Sequence, residues 1–147
     1  MSQAPSNVVI WWKTIRPATL PAGAAPVFVG AALASAAGAL DLIVSGAALL
    51  GALLLQIGCN LVNDYADFQR GADGDDRLGP ARAAAQGWLS VTQLKVGALS
   101  SLGAAVLLGL YLISVGGWPI ATLGVASVIA AIAYTAGPYP LAYLGLG

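Results

Sequence analysis

The sequence predicts an all-α membrane protein, a polytopic bundle of four transmembrane helices. Three observations lead there. Hydrophobic residues make up 59% of the 147 and charged residues only 8%, where a soluble domain carries about 25% charge. Mean hydropathy is +0.83. The apolar residues also fall into runs without a single charge, long enough to cross about 30 Å of hydrocarbon as helix. With zero net charge and no basic tract, nucleic acid is excluded as a partner. A chain without histidine has no histidine metal site and no Ser-His-Asp chemistry. The one cysteine, Cys59, can form no intrachain disulfide, and between Gly58 and Asn60 it reads as a small buried residue.

Taken in order, residues 1 to 11 carry no charged side chain and read as a loose polar start. Trp11 and Trp12 beside Lys13 and Arg16 suit a membrane–water interface. The first span is placed at about 17–40, with Pro17 and Pro21 near its start and Pro26 a candidate kink. Ala34-Ser35-Ala36 resembles a signal-peptide cleavage site. The basic residues lie too far into the chain for that, and another span follows. The second span is placed at about 42–63 and a polar loop at 64–91. Ser90 is positioned to cap the third span, about 92–115, with Gln93 completing a capping box. Gly116-Gly117-Trp118-Pro119 separates it from a fourth, about 118–136. All of 1–147 is read as one transmembrane domain. Four spans place Lys13, Arg16, Arg70, Arg77, Arg82 and Lys95 on one side and only Asp41 on the other. The positive-inside rule makes the side of the N-terminus and the loop the cytoplasm, across the cell's inner membrane.

Chemistry concentrates at residues 56–82, which hold five of the six acids and three of the six basic residues. Gln56, Asn60, Asn63, Asp64 and Asp67 share one face of a 3.6-residue helix. Such a stripe on an apolar helix is costly in lipid and belongs against a bundle interior, a cavity or a ligand. Asp64, Asp67 and Asp73 offer hard oxygen ligands of the kind Mg²⁺ uses, and Arg77 and Arg82 offer guanidinium forks for phosphate. Together they point to a metal-bridged diphosphate. A solvated loop of mixed charge is the competing reading of the loop alone. Lys13 and Arg16 either reach a diphosphate or anchor the topology. Tyr134 and Tyr139 either line an acceptor pocket, where their rings would stabilise a cation, or sit as interfacial anchors.

At Asn63-Asp64-Tyr65-Ala66-Asp67 the chain resembles the UbiA superfamily of intramembrane aromatic prenyltransferases. It looks most like the menaquinone branch, whose longer motif is matched at Gly71, Asp73, Arg77, Gly79, Pro80 and Arg82. The resemblance implies transfer of a prenyl group from its diphosphate to 1,4-dihydroxy-2-naphthoate, with loss of CO₂. It implies Asn63, Asp64 and Asp67 as catalytic residues, Mg²⁺ held by Asp64, Asp67 and Asp73, and the diphosphate met by Arg77, Arg82, Asn60, Lys13 and Arg16. It further implies a longer enzyme of which this chain is the first half, inactive alone. A superfamily member with another aromatic acceptor, and a non-enzymatic transport module, are the alternatives. A transport module would need polar groups at mid-membrane in several spans, whereas these charges gather at one face.

Overall fold

A computed structural model describes residues 5–71, 82–134 and 141. Every regular element among them is helical: α1 (Asn7–Ile15), a 3₁₀ turn (Pro17–Thr19), α2 (Leu20–Ala36), α3 (Leu42–Gln69), α4 (Val91–Gly116) and α5 (Trp118–Ala133). The α1–α2 segment, α3 and α4 are long and apolar enough to cross a membrane, and α5 is a shorter apolar helix. The chain is a multi-pass membrane protein.

Local chemistry sets the helix ends. Asp41, read from sequence only as a lone charge on the far side, is the N-cap of α3. Its Oδ1 accepts from the Ile43 and Val44 amides at 2.8 and 3.0 Å. A side-chain oxygen there satisfies amides that the first helical turn leaves without partners. Ser90 and Gln93 form the predicted capping box on α4. Gly71, with φ of 67°, follows the last turn of α3 in the left-handed region that glycine enters without strain. α2 runs from Leu20 to Ala36 with Pro26 inside it.

Two expectations are corrected. The N-terminal stretch is not a loose start, because α1 begins at Asn7 and buries Ile10 and Thr14. Ile10 and Thr14 lie one turn apart and pack inward, while Val8 and Trp12 of the same apolar run stay exposed. The helix that carries the second span also does not stop at residue 63. α3 continues to Gln69 and carries Asp64 and Asp67 on the helix itself, not in the loop. No glycine or proline interrupts 59–70. The acids' side chains bond to groups outside α3, so they do not compete with its backbone.

The packed core lies at the loop end. Ile10, Leu61, Val62, Ala83, Ala84, Leu89, Leu94 and Ala98 form one buried cluster, with Trp11, Tyr65 and Trp88 against it. α2 and α5 have no buried residue. Lipid can cover apolar helix surface as well as protein can, so such faces cost little. The α3–α4 contact is close where Gly58 meets Leu102. A Cβ built on Gly58 would stand 2.6 Å from Leu102 Cδ2 and 2.7 Å from Cγ. Gly58→Val therefore overpacks this contact and costs about 1–3 kcal/mol. Thermal unfolding of the detergent-solubilised or nanodisc-embedded protein checks this, with Gly103→Val, which meets nothing within 4 Å, as the control.

Candidate functional site

α3 turns a polar face toward the segment that leads into α4. Asn60, Asn63, Asp64 and Asp67 are all buried, Asp64 at 2% exposure and Asp67 at 5%. Two carboxylates buried to this degree need partners, since an uncompensated charge in low dielectric costs several kcal/mol. The partners come from residues 82–84. Arg82 forms an ion pair with Asp67, and its Nη1 donates to the Asn63 carbonyl at 2.7 Å. The Ala83 amide donates to Asp64 Oδ2 at 3.1 Å and the Ala84 amide to Asp64 Oδ1 at 3.2 Å. Both acids are thus tied to one short downstream stretch, residues 82–84.

A second set of bonds holds α3 to the α1–α2 junction. The Asn60 side-chain amide donates to the Ile15 carbonyl at 2.8 Å and to Thr19 Oγ1 at 2.9 Å. Thr19 Oγ1 in turn donates to the Arg16 carbonyl at 2.9 Å. Between them Arg16 takes a left-handed backbone, φ 54° and ψ 72°, which a non-glycine residue adopts at a cost of about 1–3 kcal/mol and holds only when its surroundings enforce it. The Asn60–Thr19 chain supplies that enforcement. Asn60, expected among the diphosphate-binding residues, has both amide protons on protein oxygens and acts here as a strut between helices.

Lys13 lies over the Trp88 ring, 5.5 Å from its centroid, and joins α1 to the stretch before α4. Lys95 lies 5.4 Å from the Tyr65 ring. Such contacts contribute about 0.5–1 kcal/mol where exposed and more where desolvated. Both bring a cation to the end of the bundle that carries the acids. Tyr134 follows α5, half-buried, its amide on the Ala130 carbonyl. Asp73, Arg77 and Tyr139 lie outside the described residues.

The donor set fits magnesium. Asn63 offers an amide oxygen and ionised Asp64 and Asp67 offer carboxylate oxygens, and Mg²⁺ takes one or two carboxylates with phosphate and water making up the rest. No group of three acid, cysteine or histidine side chains occurs among the described residues. Asn63, Asp64, Asp67 and Arg82 come together, along with the backbone amides of Ala83 and Ala84. No spacing rule marks those two alanines, whose part is played by N–H groups and not by side chains.

Replacing Asn60 tests the strut. Asn60→Ala leaves the Ile15 carbonyl without its donor, a loss of about 1–3 kcal/mol for a buried group. Asn60→Asp is the more damaging change, because it turns a carboxylate toward that carbonyl. Thermal melts of the two variants should rank wild type, then Asn60→Ala, then Asn60→Asp.

Comparison with known proteins agrees with this geometry. Residues 24–147 match the UbiA prenyltransferase family. The chain is 39% identical over 108 residues to the 1,4-dihydroxy-2-naphthoate octaprenyltransferase of Haemophilus influenzae, covering 72% of this chain and 35% of that protein. It is 40% identical over 110 residues to the protein of the same name from Escherichia coli, covering 75% and 36%. With the Bacillus subtilis protein of that name, identity is 37% over 112 residues, covering 76% and 36%. The chain thus matches little more than a third of the length of these relatives. No solved structure matches it. On this similarity, and on the buried acid face that α3 carries, the chain belongs to the UbiA prenyltransferase family.

Proposed function

We propose that the protein carrying this chain transfers a prenyl group from a polyprenyl or phytyl diphosphate to 1,4-dihydroxy-2-naphthoate, releasing diphosphate and CO₂. The observation that carries this reading is the pair of buried carboxylates on α3 with Arg82 set against them. The names of the similar proteins support the choice of acceptor. The reaction breaks the allylic C–O bond, with the electron pair leaving on diphosphate. The electron-rich ring carbon forms the new C–C bond, and the carboxylate on the ring departs as CO₂.

The residues have separate tasks. Asn63, Asp67 and Asp73 would be the donors that hold Mg²⁺, with Asp64 next to Asn63 on α3. When bound, the ion would neutralise diphosphate oxygens and make them a better leaving group. Arg82 and Arg77 would take up charge on the same oxygens, for which the guanidinium fork is shaped. Arg82 is already within reach of the site through Asp67, so it needs only to share or exchange one anionic partner for another. Lys13 and Arg16 bring further positive charge to this end of the chain. Tyr134 and Tyr139 would line the acceptor pocket. Apolar helix faces around the prenyl tail would keep water from the allylic cation. The cytoplasmic side of the cell membrane is the side proposed for the N-terminus and the acid face, because all six basic residues fall there.

Two measurements on the intact membrane-embedded protein test this. Prenyl transfer should stop on chelation of divalent ions and return with added Mg²⁺. Asp67→Ala should lower kcat by roughly 100-fold or more, the scale expected when charge stabilisation in the transition state is removed. Full activity in either case would end the proposal. Competition between dihydroxynaphthoate and other aromatic acceptors, such as 4-hydroxybenzoate or homogentisate, identifies the ring that is used.

A further inference from the structure

We infer that Asp64 is a positioning residue, which docks the segment entering α4, and that it is not one of the acids facing the metal and diphosphate. This rests on the metal-bridged reading above and narrows it. Asn63 and Asp67 are four residues apart and lie one above the other on α3. Asp64 is rotated about 100° from Asn63, as successive residues on a helix are, and that rotation turns it to residues 83 and 84.

What it meets there is the start of a helical turn. The Gln86 amide donates to the Arg82 carbonyl at 3.0 Å, the Gly87 amide to Ala84 at 3.0 Å and the Trp88 amide to Ala83 at 2.9 Å. The first amides of such a turn have no partner within it. Those of Ala83 and Ala84 are capped by the two oxygens of Asp64, one each. Asp64 therefore does for this turn what an N-cap residue does for its own helix, but from a different helix. Ala83 and Ala84 are themselves buried against Leu61, Val62, Leu89 and Leu94. Arg82 immediately precedes them, so the docked turn carries its guanidinium to Asp67 and to the Asn63 carbonyl.

A metal ion at Asp64 would have to compete with two backbone hydrogen bonds in a site closed to water. Mg²⁺ demands near-octahedral geometry and gives up its water reluctantly. Asp67 forms its ion pair with a side chain, Arg82, and that bond can be shared with a metal while the amides of Ala83 and Ala84 stay on Asp64. The two acids therefore divide the work: Asp67 meets the ligand, and Asp64 holds in place the turn that delivers Arg82.

Hydrogen exchange and a magnesium titration on the intact membrane-embedded protein separate the two roles. Asp64→Asn keeps the shape but leaves one of the two amides without an acceptor. Exchange in the peptide covering residues 83–89 should rise roughly tenfold or more, as expected for loss of a buried hydrogen bond. The Mg²⁺ concentration for half-maximal prenyl transfer should stay at the wild-type value while KM for the prenyl diphosphate rises. Asp67→Asn should instead shift the Mg²⁺ requirement roughly tenfold or more. Ala84→Pro removes one of the donors without touching an acid and should reproduce the Asp64→Asn pattern, including where Asp64→Asn itself fails to fold. Unchanged exchange at 83–89 in Asp64→Asn, or a magnesium shift as large as that of Asp67→Asn, overturns the inference. If the wild-type protein needs no divalent ion, the metal reading falls, and the exchange result still decides what Asp64 does.

Discussion

Two carboxylates buried on one helix have to be matched by donors, and the donors come from a single short turn. That constraint orders the rest of the structure. In lipid, apolar helix faces gain little by meeting each other, since the lipid tails are as apolar as leucine. The exposed faces of α2 and α5 are consistent with this. Packing specificity must then come from close approach, as at Gly58, and from polar groups that only one arrangement satisfies. Asp64 and Asp67 are such groups. Leaving either without its partner would cost about 3–5 kcal/mol if the lost bond is that of a buried ion pair. An arrangement of α3 and α4 that displaced residues 82–84 would take the Arg82 ion pair from Asp67 and the Ala83 and Ala84 amides from Asp64 together.

The same end of the molecule is clamped from the other side. Asn60 bonds to the α1–α2 junction through Ile15 and Thr19, and Lys13 reaches from α1 to Trp88. α3 is therefore held between α1 and the stretch that enters α4. The left-handed Arg16 sits at the turn between α1 and α2. Strain of this sort persists where surrounding bonds over-determine the backbone. Here the enforcing residue, Asn60, belongs to the same polar stripe as the acids. One row of side chains thus fixes the helices and presents the anionic groups, and the two duties fall on neighbouring residues one turn apart.

Much of this was legible in the sequence, for a physical reason. Spacing along a helix is local, so the stripe Gln56, Asn60, Asn63, Asp64 and Asp67 declares its common face without any knowledge of the fold. Caps are also local, and Ser90 with Gln93 could be read directly. The conservative end of the second span was an error of emphasis. Charge and lipid exclude each other, which argues for ending the second span before Asp64, but a polar stretch can keep its helical period, and α3 runs on to Gln69. The role of Asp41 was missed because a lone acid between two apolar runs signals topology as readily as capping. α1 was missed because a short stretch with few charges has no amphipathic contrast to reveal it. The partners of Asp64 could not be read at all. They are main-chain amides nearly twenty residues away, belonging to alanines, and a side-chain pattern carries no record of where a backbone donor will be brought.

The arrangement also bears on how a site of this kind can be both stable and ready to bind. A diphosphate with its metal would bring new charge into a region where Asp64 and Asp67 already have partners. If both acids were held by backbone amides, ligand entry would mean breaking main-chain bonds and undocking the turn. If both were held only by flexible cations, the empty site would have no fixed geometry, and ordering it would subtract from the affinity. The structure has one of each. Asp64 is bonded to amides that stay with the fold, and Asp67 to a guanidinium on a long side chain. Arg82 can turn from carboxylate to phosphate because each presents a pair of oxygen acceptors that its fork can meet. Its own starting point is fixed by the turn that Asp64 caps. Binding then exchanges one ionic partner for another against a backbone that need not move, which is how preorganisation lowers the cost of holding a highly charged ligand at the edge of an apolar bundle.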